Sequence, residues 1–219
     1  MNDPWAMVER AANDRSSGAA EIARMAAGAL GRLPDEAVLP AIELLLRGHP
    51  SMAPLWRLGA EVLSAPEAHL GANEFVGGLL RWDSVAVDAL TEALPGFSAY
   101  QVITISYSSS IRELVQRARP KALICMRSEP GGEGARAADA MSEWTNAVVM
   151  EDDDVLINVP GDAVVVGADA VTPRALTNKV KTRALADAAR SKGIPVYAVA
   201  GETKLIGDEL PAQAPFEAT

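Results

Sequence analysis

The chain has 219 residues, 49% of them apolar and 22% charged, which supports a substantial core and argues against a disordered segment. A formal net charge of -9 speaks against a surface built to hold a nucleic-acid backbone, although a local anion pocket needs only a few cations. The single cysteine excludes an intramolecular disulfide and fits a reducing compartment. No apolar run approaches the roughly 20 residues of a membrane helix, and "MNDPWAMVERAANDRSSG" has no apolar leader stretch, so a cytoplasmic protein away from membranes is expected.

In chain order, the first part reads as helix after helix. "GAAEIARMAAGALGRL" places Ile22, Met25, Ala26 and Ala29 on one face at helical spacing. "DEAVLPAIELLLRG" closes on Gly48, a residue suited to end a helix. "PSMAPLWRLGAEVLSA" and "GANEFVGGLLRWDSVAVDALTEAL" continue the pattern, with Pro and Gly between helices. From residue 100 short apolar runs alternate with amphipathic helices: "YQVITISYS", "SSIRELVQRAR", "KALICMRS", "GEGARAADAMSEW", "NAVVMED", "DAVVVGADAV", "NKVKTRALADAARSKG" and "PVYAVAG". That alternation predicts a parallel sheet covered on both faces, hence an α/β fold. The expected division is a helical domain over residues 1–98 and a Rossmann-like domain over 99–219.

Ligands of such sheets bind beyond the carboxyl ends of the strands, so the strand ends carry the candidate site. After the first strand, Ser110 and Glu113 read as a capping box; equally, Ser108, Ser109 and the amides of the helix start could cradle an anion. After the second, Arg127, Glu129, Glu133 and Arg136 crowd a loop rich in glycine that lets backbone approach a ligand. Cys125 lies inside the strand and reads as an inert core thiol. Asp152 to Asp154 after the third strand read as a solvated acidic turn, because no matching cluster follows at ligand spacing; neither metal nor cofactor is expected. The fourth strand ends at Asp169, where partial desolvation would suit a carboxyl to proton transfer. Asn178 reads as either an N-cap or a ligand contact, with Lys179 in the first helical turn. A cation there opposes the helix dipole, so a negative partner is expected, either Asp169 or a bound phosphate. Lys204, after the last strand, is a further candidate cation, though taken alone it reads as a surface lysine.

"GADAV", "TNKVKT" and "LADAARSKGIPVYAVAG", together with "DRSSGAAEIA" and "HPSMAPL", resemble the alpha, beta and delta subunits of translation initiation factor 2B. Their enzyme relatives are methylthioribose-1-phosphate isomerase and ribose-1,5-bisphosphate isomerase. The resemblance implies a helical N-terminal domain on a Rossmann-like domain, and a chain shortened in its N-terminal helices. It also implies a phosphate-contacting segment at Arg15, Ser16 and Gly18, a proton-transferring Asp169, and ligand contacts at Asn178 and Lys179.

The sequence departs from the isomerase pattern at several of these positions. Ser106 stands where the isomerases carry cysteine, and a hydroxyl needs a base to exchange protons near neutrality. The Glu-x-Arg-Pro of the family is reversed to Arg127-Ser128-Glu129-Pro130, Glu133 replaces a glutamine, Lys181 replaces a glycine, and His49 replaces an arginine. The leading expectation is an initiation factor 2B-like protein that binds a sugar phosphate or nucleoside monophosphate with little or no catalysis and forms a homodimer or larger assembly. An isomerase using Asp169 with Ser106 or Glu133, and a scaffold with a vestigial pocket, are the alternatives.

Overall fold

The computed structural model describes residues 3–207. The chain divides into two compact units. One takes in the chain through Trp82, Asp169–Thr177 and the segment from Gly201; the other is Asp83–Ala168 with Asn178–Ala200. This differs from the single boundary expected at residue 98. The dividing point lies inside one continuous helix, α5 (Ala68–Ala93), whose unbroken pattern carries no mark of it.

The first unit is built on α1 (Pro4–Asn13), α2 (Ala19–Leu30), α3 (Asp35–Gly48), α4 (Ala53–Ser64) and the opening turns of α5. Asp3 starts α1 by accepting the Trp5 amide at 3.1 Å, and Pro4 stands at its first position, where no amide partner is needed. The small side chains Ala23, Ala26, Ala27 and Ala29 let α2 pack closely, and Ile22, Leu30, Leu45, Leu58, Phe75 and Leu79 fill the core. Each such large side chain contributes about 1.5–3 kcal/mol on full burial. A short antiparallel pair, β5 (Ala170–Val171) with β6 (Leu176–Thr177), and a helical turn at Glu202–Lys204 complete the described part.

The second unit carries a five-stranded sheet in the order β3-β2-β1-β4-β7, with every neighbouring pair parallel. The strands are β1 (Gln101–Thr104), β2 (Ala122–Met126), β3 (Asn146–Met150), β4 (Ala163–Val166) and β7 (Val196–Ala198). Between them run α6 (Ser109–Ala118), α7 (Glu133–Met141), α8 (Asp152–Asn158) and α9 (Thr182–Ser191). Val102, Leu123, Cys125 and Val165 pack in one layer with Ile111, Leu114 and Ala137. Ile103, Ile124, Val164 and Val166 pack in the other with Val155, Leu185 and Ala189. This is the α/β architecture expected from the alternation, and its strand order reverses direction between β1 and β4, where such sheets open a crevice. "DAVVVGADAV" is not one strand: β4 ends at Val166, and Ala170–Val171 pair with a different sheet. Among the described residues no helix is long and apolar enough to cross a membrane.

Candidate functional site

In the second unit the β1 end turns sharply. After Ile105 the chain enters the left-handed region at Ser106, φ 69°. The Ser106 amide donates to Ser128 Oγ at 2.7 Å, and that hydroxyl donates in turn to the Met126 carbonyl at 2.9 Å. Ser128 is itself left-handed, φ 68°, and fully buried. Two non-glycine residues in this region cost roughly 1 kcal/mol or more each, and persist because their hydrogen bonds over-determine them. Two residues past β1, the Ser106 amide is therefore tied to the segment that follows β2.

Two residues on, Ser108 caps α6 by accepting the Ile111 amide at 3.4 Å. The expected capping box at Ser110 and Glu113 is displaced: the helix begins earlier, and Ser110 is a buried residue within it. Gly167, just past β4, makes room for this cap. A Cβ there would fall 2.5 Å from Ser108 Oγ and 2.9 Å from its Cβ. At the reversal of strand order between β1 and β4, a serine cap is thus pressed against a glycine, beside the amino end of α6.

Past β2, Ser128 and Glu129 donate their amides to the Asp152 carboxylate at 2.8 and 3.0 Å, and Lys181 Nζ reaches it at 2.8 Å. Asp152 is only 4% exposed, so the acidic run is not a wholly solvated turn. Burial alone would raise its pKa, but Lys181 and the two amides outweigh that and hold it below the ordinary value. Lys181, at the cap position of α9, has φ 74°, which is why a glycine suits that place; its ion pair with Asp152 offsets the strain.

Glu133 opens α7 and is buried; its Oε1 accepts Lys179 Nζ at 2.7 Å. The expected negative partner of Lys179 is thus supplied within the second unit by Glu133. Lys179 also precedes α9 and does not occupy its first turn. Asn178 is not an N-cap: its amide donates to Thr182 Oγ1 at 3.1 Å, and that hydroxyl donates to the Lys179 carbonyl at 2.6 Å. Arg127 turns to Glu151 at 2.7 Å in solvent, and the Arg136 guanidinium lies 4.3 Å from the Tyr107 ring centroid. Burial pushes the Cys125 thiol up to about 12, as suits a core residue.

The remaining sequence candidates lie in the first unit. Asp169 is half-buried; its carbonyl accepts the Ala53 amide at the start of α4 at 3.0 Å, and its amide donates to Thr177 at 2.8 Å. Lys204 is no surface lysine: it is 2% exposed, in the turn that follows Gly201. Ser16 donates both its amide, at 2.8 Å, and its hydroxyl, at 2.9 Å, to Asp14 Oδ1, and Ser17 adds a third hydrogen bond at 3.0 Å. Although burial opposes it, these bonds lower the Asp14 pKa to about 2. Gly18 is the N-cap of α2, and Arg15 Nη1 donates to the Ala12 carbonyl at 2.9 Å. The segment "DRSSG" is thus organised by its own aspartate, which the Asp-x-Ser-Ser spacing could have signalled as a side-chain-closed turn.

His49 is buried beside this turn, with Nε2 2.8 Å from the Ala11 carbonyl and 3.4 Å from Arg15 Nη1. Burial, seconded by the Arg15 charge, lowers its pKa below 6.5, against the pull of the Ala11 carbonyl and Asp14. A histidine lowered on folding binds fewer protons folded than unfolded, so stability rises with pH through this range. The melting temperature should fall as pH drops from 7.5 to 5.5, and His49→Gln should flatten that slope. An equal slope in both proteins, followed by calorimetry, would remove His49 from the account.

Among the described residues no group of His, Cys, Asp and Glu is placed to hold a metal ion. Residues 71–215 match the model of the Initiation factor 2 subunit family. Among solved structures, the chain is similar to the translation initiation factor eIF-2B of Pyrococcus horikoshii OT3, at 23% identity and a TM-score of 0.84, covering 94% of this chain and 80% of that one. It is also similar to a chain of the tetrameric eIF2B-beta2-delta2 complex from C. thermophilum, at 16% identity and a TM-score of 0.69, covering 92% and 78%. The delta subunit of eIF-2B from A. fulgidus aligns at 15% identity and a TM-score of 0.63, covering 94% and 72%. At these identities the likeness shows the fold.

Proposed function

The chain belongs to the initiation factor 2 subunit family, and from that premise we propose that it binds a phosphorylated small molecule without turning it over. The ligand is a sugar phosphate or nucleoside monophosphate, held at the carboxyl ends of the strands of the second unit. The observation that carries this reading is the β1 end: a fixed left-handed turn at Ser106 leads into the Ser108 cap and the amino end of α6, beside Gly167. Amides and dipole at such a helix start favour an anion. Asn178 and Arg136 are the proposed flanking contacts.

Two of the candidate acid-base groups are poorly suited to turnover. Ser106 offers a hydroxyl in place of a thiol, and Glu133 is engaged by Lys179. We further propose that the protein works in the cytoplasm as a homodimer or larger homo-oligomer, which light scattering tests.

Ser108→Asp separates ligand binding from folding. Aspartate caps helices as well as serine does, but its larger carboxylate must fit beside Gly167, so cooperative melting of the variant is checked first. Its charge at the helix start should weaken a ribose monophosphate or AMP by about tenfold or more, equivalent to about 1.4 kcal/mol. Titration calorimetry checks this; equal affinity in both proteins would place the phosphate elsewhere. The isomerase reading would revive only if ketose product formed and Asp169→Asn abolished it.

A further inference from the structure

Both lysines of "NKVK" are neutralised from within the second unit, Lys179 by Glu133 and Lys181 by Asp152. The Lys179–Glu133 pair is the more enclosed, with side chains 16% and 6% exposed. Glu133 Oε2 is buried and has no hydrogen-bond partner among the described residues. The charge of this carboxylate is therefore balanced by Lys179, and drawing the ammonium away would leave a buried anion uncompensated. The loop is also shaped around the carboxylate: a Cβ on Gly131 would fall 2.4 Å from Oε1 and 2.7 Å from Oε2. A phosphate within hydrogen-bond reach of Lys179 would lie close to that carboxylate and be repelled.

We infer that Glu133 is the built-in counter-anion of Lys179 and a specificity-determining residue, keeping phosphate groups away from this part of the strand edge. The inference rests on the proposed reading of these strand ends as the ligand side of the sheet. It narrows the ligand to one that is singly phosphorylated and presents an uncharged, hydroxyl-bearing part toward α7. A second phosphate is excluded there.

The test is titration calorimetry of the full chain with ribose 5-phosphate and ribose 1,5-bisphosphate as probes. The proteins are wild type, Glu133→Gln, Lys179→Met and the double variant, each first checked for cooperative melting. Wild type should prefer the monophosphate, and Lys179→Met should leave monophosphate affinity within about twofold. Glu133→Gln should tighten the bisphosphate by about tenfold, a gain lost in the double variant. A wild type that binds the bisphosphate as tightly as the monophosphate overturns the inference. So does tenfold weaker monophosphate binding in Lys179→Met, which needs no folded Glu133 variant to observe. If only Glu133→Gln binds, and through Lys179, the inference stands while the phosphate reading of the native site falls. If no folded variant binds either probe, both fall.

Discussion

Gly134→Ala should destabilise the protein by about 3 kcal/mol or more, measured by denaturant unfolding. Gly134 is the second residue of α7, and its amide donates to the Arg127 carbonyl at 3.1 Å. A Cβ there would fall 1.7 Å from the Met126 carbonyl oxygen and 2.7 Å from its carbon. Those are backbone atoms at the end of a central strand, so no rotamer change relieves the clash. Either α7 moves off the sheet, or β2 gives up its register with β1 and β3. Movement of α7 would also carry Glu133 away from Lys179, so Gly134→Ala should lose any specificity that the pair confers. A variant within 1 kcal/mol of wild type would mean that α7 does not approach β2 this closely.

Asp152→Ala should cost about 3 kcal/mol, since it removes the acceptor of two amides and the partner of Lys181 at once. The Ser128 amide is buried, and Ser128 positions Ser106, so the loss should spread to the β1 turn. Lys181→Gly is the informative companion. It breaks the same ion pair but relieves the left-handed strain and leaves Asp152 its two amides, so its net effect should stay within about 1 kcal/mol. The pH dependence has a definite sign. A carboxyl whose pKa is lowered on folding stabilises above its ordinary value of 3.8, and that contribution is lost as pH falls further, through the folded value. The gap between wild type and Asp152→Ala should therefore be full at neutral pH and narrow below pH 3.8. A constant gap across that range would mean that the side chain acts through packing alone.

Helical periodicity and the alternation of short apolar runs with amphipathic helices made the α/β architecture readable before any coordinates. The acidic run at Asp152 reads as solvated from composition, whereas its burial depends on amides delivered from another strand end. The partner of Lys179 is hidden from the sequence for the same reason. Glu133 lies 46 positions earlier, and only the parallel sheet brings the two together. Asn178 is a favoured cap residue and so suggests an earlier start for α9, yet Lys181 occupies that position. Lys204 looked exposed because a lone lysine in a short polar stretch usually is. The departures from the isomerase pattern are readable directly, and three of them, Arg127, Glu133 and Lys181, prove to be ion-paired.

The central claim, phosphate binding without turnover, is tested most directly by phosphorus-31 NMR of ribose 1-phosphate incubated with the 219-residue chain. The account predicts a shifted or broadened ligand resonance that Ser108→Asp diminishes, with no ketose phosphate signal appearing over hours. A growing ketose signal would contradict the account in favour of an isomerase, and a ligand resonance untouched by the protein would contradict it in favour of a scaffold.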